Sequence, residues 1–244
     1  MSASPVSPTA PPDRTRVAPI WHTIVFVVGT IGLSFGQAHQ SPKISTMKLP
    51  TRVPLYLAMM VFELLMLGYV WIGVRLAGRH LRDVIGGKWS RAIDFWRDVV
   101  IALAFWIVVL GMLVVVRVLL GTNPAGTEAV RMLIPRTSAE MAVWVLLAVT
   151  AGFCEETVFR GYLQRQCLAL SGRDEFAVAL QALLFGSAHL YQGWKNAVAI
   201  TIYGGLFGAL AAWRKSVRPG MIQHASQDTF SGIVGSLAAR HHYL

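Results

Sequence analysis

The sequence predicts an all-α fold, a polytopic transmembrane helical bundle of about seven spans within a range of six to eight. Three observations carry that prediction. Of the 244 residues 55% are hydrophobic and only 14% are charged, with a mean hydropathy of +0.53, whereas a soluble domain of this length needs a far more charged surface. Apolar runs long enough to cross a hydrocarbon core, about 17 to 25 residues, recur at 19–35, 55–77, 98–120, 138–160, 174–190, 196–213 and 217–237. The basic residues stand at the ends of these runs rather than in one patch, so the net charge of +10 does not call for a nucleic-acid partner. It calls for a lipid bilayer.

Taken in order, residues 1–18 are rich in Pro, Ser, Thr and Ala and offer little to bury, which predicts a disordered cytoplasmic tail ahead of a single transmembrane domain over 19–244. Arg14 and Arg16 precede the first run and Gly36-Gln37-Ala38 follows it, a pattern shared by a cleaved signal peptide and a retained helix; the long segment before the run favours the retained helix. Residues 36–54 read as a polar loop. Residues 78–97 read as a basic loop broken at Gly86-Gly87, with an amphipathic stretch from Trp89 to Trp96 suited to the headgroup layer. Between 121 and 137, Gly, Asn and Pro predict a loop that dips to the interface before a helix starts at Ser138 with Glu140 in its first turn.

Charge placement sets the orientation. Fourteen of the 22 Lys and Arg residues fall on one side of a seven-span path: Arg14 and Arg16, six from Arg75 to Arg97, Arg160, Arg165, Arg173, Arg214, Lys215 and Arg218. That bias predicts a multi-pass protein of the cell membrane with its N-terminus in the cytoplasm. The two cysteines, Cys154 and Cys167, form neither a disulfide framework nor a CxxC site and read as small packing residues.

The chemistry gathers in a core over 138–237. Glu155 and Glu156 sit at the end of the apolar run Met141–Cys154, and ionised side chains in a bilayer, which cost about 3 kcal/mol each on insertion scales, usually face a partner or a wet cavity. Glu156 and Arg160 are spaced i, i+4 with the acid first, the better order for a helical ion pair; on an α-helix Glu155 points about 100° away. Phe185 and His189 share the same spacing, as do His224 and Asp228, where a carboxylate can orient an imidazole. Each pair alone fits a structural role. Two glutamates, two histidines and an aspartate on three apolar helices converge only inside a bundle, and burying them without use is expensive.

The segments Glu155-Glu156-Thr-Val-Phe-Arg160, Phe185-Gly-Ser-Ala-His189 and His224-Ala-Ser-Gln-Asp228 resemble the CAAX protease and bacteriocin-processing (CPBP) family of intramembrane endopeptidases, related to the type II CAAX prenyl endopeptidase. The family pattern is EExxxR, then FxxxH, then HxxxN or HxxxD. The resemblance implies a glutamate protease whose catalytic set is Glu155, Glu156, His189, His224 and Asp228. Glu155 would be the general base, assisted by His189. His224 and Asp228 would stabilise the oxyanion, and Glu156 with Arg160 would hold and tune the site beside Phe185. The implied partner is a membrane-associated peptide or protein, prenylated or not, and the implied cofactor is none. The endopeptidase proper has Asn in the last motif, which donates a hydrogen bond, whereas ionised Asp228 only accepts; this departure bears on the prenyl substrate more than on hydrolysis.

Alternatives stay open at this level. Glu155, His189, His224 and Asp228 would also make a reasonable divalent-metal site with an open position for water, although there is no HExxH. The same groups could bind ions in a transporter, or the fold could serve a non-catalytic immunity or binding protein; no internal repeat of the transporter kind is visible. Glu63, in the middle of the second span, reads as an inward residue paired with a neighbouring helix or as a proton relay. Gly204 and Gly208 read as a close helix contact. For His189 and His224 to meet, the fourth helix must run long and tilted through Leu170, and the chain must unwind between Leu190 and Trp194.

Overall fold

Every regular element is helical in the computed structural model, which describes residues 15–45, 49–121 and 124–241. The predicted tail lies outside the described residues up to position 14. Its last part, Val17 and Ala18, is buried, with both backbone N–H groups donating to Gln166 Oε1.

Helices α1 (Ile20–Ser45), α2 (Val53–Leu76) and α4 (Ala92–Leu120) are long and apolar, and α3 (Leu81–Ile85) and α5 (Pro124–Leu133) are short connectors. Helix α6 (Ser138–Glu155) is capped by Thr137, whose hydroxyl accepts from the Glu140 N–H at 3.1 Å. It continues without a break through a π-helical stretch, Glu156–Gln164, into α7 (Arg165–Ser171). The resulting 34-residue rod is about 51 Å long at 1.5 Å per residue, well beyond a bilayer core of about 30 Å. Helix α8 (Asp174–Ser187) ends before a 3₁₀ turn, Leu190–Gln192, and Gly193, at φ +85°, starts α9 (Trp194–Arg214); α10 (Arg218–Arg240) closes the bundle.

Among the described residues five helical segments are long and apolar enough to cross a membrane: Ile20–Gln40, Val53–Leu76, Ala92–Leu120, Ser138–Ser171 and Trp194–Arg214. The count of seven spans is therefore not confirmed, and the two segments that fall short do so for different reasons. Helix α8 has 14 residues, about 21 Å. Helix α10 has the length but carries Gln223, His224, Gln227 and Asp228 in its first half. The expected loop over 36–54 is also shorter than predicted, because α1 runs to Ser45, and the interfacial loop contains α5.

One end of the bundle is stitched by the basic connectors. Asp98, fully buried, takes Arg214 Nη2 at 3.1 Å, Arg218 Nε at 3.4 Å and the Trp89 indole N–H at 2.9 Å. Arg165 donates to the carbonyls of Asp83 and Lys215. Gly86, at φ +92°, lets the chain come against the backbone of Lys215 and Ser216, where an added Cβ would stand 2.6 Å from Lys215 O. At the other end Glu140 accepts from the backbone N–H groups of Arg52 and Arg136 and faces the Arg52 guanidinium. Between these clamps, α10 packs on α6 and α4, α8 on α9, and α2 on α6.

Candidate active site

The rod α6–α7 supplies the two glutamates at the point where its winding changes. Glu155 ends the α-helical part and Glu156 starts the π-helical part. A π-turn bonds i to i+5 and widens the helix, a feature frequent at functional sites. Both glutamates face α10 here. His224 Nδ1 lies 3.2 Å from Glu156 Oε1, and His224 Nε2 lies 3.6 Å from both Glu155 Oε2 and Asp228 Oδ2. A protonated imidazole at this position points an N–H toward a carboxylate at each nitrogen.

Glu156 also holds Arg160. Arg160 Nη1 donates to the same Oε1 at 3.0 Å, and neither side chain is more than 1% exposed. The guanidinium sits over the Phe185 ring at 4.1 Å and near the Phe207 ring at 5.3 Å, a cation–π arrangement that is strongest when desolvated. Gly204 belongs to this contact: a Cβ there would meet Phe185 and Arg160 Nη2 at 3.2 and 3.3 Å. The close approach expected from Gly204 and Gly208 thus serves the arginine and, at Gly208, Gln164 and Gln181.

Phe185 joins the three motifs physically. Its ring centroid lies 4.8 Å from that of His189 and 6.4 Å from that of His224. His189 bonds through Nδ1 to the Phe185 carbonyl at 2.8 Å. A carbonyl only accepts, so Nδ1 carries a proton, and Nε2 is the ring's other nitrogen. Helix α8 gives way to the 3₁₀ turn at this point, the unwinding expected between Leu190 and Trp194.

Glu155, His189, Glu63 and Tyr191 line one cavity of about 680 Å³, whose other walls are largely apolar side chains of α1, α2 and α5, among them Phe26, Leu55, Phe62, Met66 and Leu133. Glu63 comes from α2, and its carboxyl lies beside that of Glu155. Tyr191 was missed from sequence; it carries no motif and is recognised only once the turn folds it over the cavity. Burial, with Glu155, Asp228 and Glu63 nearby, pushes its phenol up to about 12, so it is a neutral O–H donor at working pH. Gln192 Nε2 donates to its oxygen at 2.9 Å. Both cysteines are buried packing residues with no disulfide.

Among the described residues no group of three or more His, Cys, Asp or Glu side chains is arranged to hold a metal ion. His224 meets Glu155 and Asp228 at ion-pair spacing instead.

Residues 137–230, which contain all three motifs, match the family model described as Type II CAAX prenyl endopeptidase Rce1-like. This part of the chain is similar to the CAAX protease family. No curated protein and no solved structure matches the chain. The matched segment covers the rod, α8, α9 and the first half of α10. It leaves out α1 and α2, which supply much of the cavity wall and Glu63.

Proposed function

We propose that this protein is an intramembrane glutamate endopeptidase that hydrolyses a peptide bond in a membrane-associated peptide or protein. The observation that carries the reading is the meeting of Glu155 and His189 at one apolar cavity, with His224 and Asp228 packed directly behind Glu155. An apolar cavity with a few convergent polar groups is the usual form of a binding site. Its walls suit an apolar substrate segment, a prenyl chain included, as the family description suggests.

In the proposed mechanism a water lies between Glu155 and Nε2 of His189. Glu155 removes its proton as the oxygen attacks the scissile carbonyl, and the carbonyl π electrons move onto oxygen. Charged His224, held through Nδ1 by Glu156 and with Asp228 beside it, donates its Nε2–H to that oxyanion, since donors aimed at developing charge contribute most to such reactions. Collapse re-forms the carbonyl and expels the amine, which takes the proton from Glu155. Glu156, tied to Arg160, fixes His224 rather than reacting. Each step uses only groups of this chain, and the working expectation is a metal-independent reaction in a multi-pass membrane protein with its N-terminus and basic end in the cytoplasm. Helix α10 is the further membrane-embedded helix.

The test is cleavage of a peptide pool, farnesylated and unmodified, by the purified protein in lipid vesicles, compared with Glu155→Ala and repeated with a chelator. Turnover lost in the variant and kept with chelator is expected. Equal turnover by both proteins would sink the protease reading, and loss on chelation would move it to metal chemistry.

A further inference from the structure

Glu63 is a buried acid outside the segment that matches the family, and none of the three motifs includes it. It is 8% exposed, in the middle of α2, and its carboxyl stands within hydrogen-bonding reach of Glu155. Glu63 Oε2 and Glu155 Oε2 are each buried without a hydrogen-bond donor among the described residues. Two carboxylates cannot satisfy one another, because each only accepts; one proton between them satisfies both. Local charge agrees with this. Among the described residues Glu63, Glu155, Glu156 and Asp228 gather at the site against two cations, Arg160, bound to Glu156, and the charged His224, so the acids remain in excess.

We propose that Glu63 is a positioning residue for the base: its protonated carboxyl donates to Glu155, holds that carboxylate toward the water and leaves its second oxygen free to accept the water's proton. The inference rests on the reading of Glu155 as the base. The proton on Glu63 stays on Glu63 throughout; the one taken from water goes to Glu155 and leaves with the amine. Helix α2 thereby becomes part of the catalytic unit, since it carries both the cavity wall and the group that aims the base.

The amide of Gln donates a hydrogen bond as a protonated carboxyl does, and Ala does not. Glu63→Gln is therefore expected to keep kcat within about threefold, whereas Glu63→Ala lowers kcat by about 10- to 100-fold with KM within about twofold, the usual weight of a group that orients a reacting side chain. The substrate is the peptide that the unmodified protein cleaves fastest from the pool above. A second readout needs no substrate: the infrared C=O band of a protonated carboxyl in the resting protein, expected at neutral pH and lost in Glu63→Gln. Equal kcat for all three proteins overturns the proposal, as does equal loss in both variants, or a resting protein without the band. If Glu155→Ala cleaves as well as the unmodified protein, the base assignment fails instead, and the band still decides whether the two acids share a proton.

Discussion

Glu156 and His224 are joined through a single oxygen: Glu156 Oε1 lies 3.2 Å from His224 Nδ1 while accepting Arg160 Nη1 at 3.0 Å. The structural ion pair of the first motif is thus also the support of the last one. Removing one partner from a buried pair leaves the other charge uncompensated, at a cost of about 3 to 5 kcal/mol. Glu156→Ala and Arg160→Ala are each expected to lose that much stability in detergent unfolding, and the double variant to lose less than the two together by at least about 1 kcal/mol. Additive losses would show that the pair is not coupled.

Asp228 meets His224 at 3.6 Å, and its backbone carbonyl takes the Trp144 indole N–H at 2.8 Å. The backbone is fixed independently of the side chain, so Asp228→Asn should leave the helix in place. Asn still accepts from His224 and adds a donor for the oxyanion. Cleavage within about tenfold of the unmodified protein is expected for Asp228→Asn, with a loss of about 10²-fold or more for Asp228→Ala. Were Asn as damaging as Ala, the negative charge itself would be the essential property of this position.

Much of this arrangement is legible in the sequence because i, i+4 pairs are local. The spacings of Glu156 with Arg160 and of His224 with Asp228 survive as contacts. The continuous rod through Ser171 and the turn after His189 follow from the need to bring His189 and His224 to one depth. What local spacing cannot supply is the change of winding at Glu156. An α-helical wheel separates Glu155 from Glu156 by about 100°, and in the structure the two meet opposite nitrogens of the His224 ring. The Glu63 contact and the place of Tyr191 depend on how α2 and the 3₁₀ turn pack, and no periodicity encodes that. The count of seven spans is not confirmed at α8, which is short, or at α10, which is polar in its first half.

Gly152 lies on α6 just before the glutamates, and a Cβ there would stand 2.8 Å from the backbone nitrogen of Ala225 and 3.0 Å from its Cβ. Backbone on α10 cannot swing aside as a side chain can, so Gly152→Ala must part the two helices that carry Glu155 and His224. A stability loss of about 1 to 3 kcal/mol is expected, together with slower cleavage. Gly205→Ala is the control, because a Cβ there reaches only Ala182 Cβ at 4.0 Å. Equal melting temperatures for the two variants would mean that α6 and α10 are not held at this contact.

Tyr191 offers the cavity a neutral phenol beside three carboxyl groups, and Tyr191→Phe removes that donor while keeping the ring, which stacks with His189 at 6.0 Å. A raised pKa keeps the phenol protonated until about pH 12, so its contribution should be constant across the working range. The expected result is a kcat lowered by about tenfold, the effect of roughly 1.4 kcal/mol in the barrier. Thermal stability should be unchanged and the pH profile should keep its shape. A profile that changed form would instead assign Tyr191 a titrating role, and an unchanged kcat would remove it from the site, leaving the turn Leu190–Gln192 to serve only as the bend that presents His189.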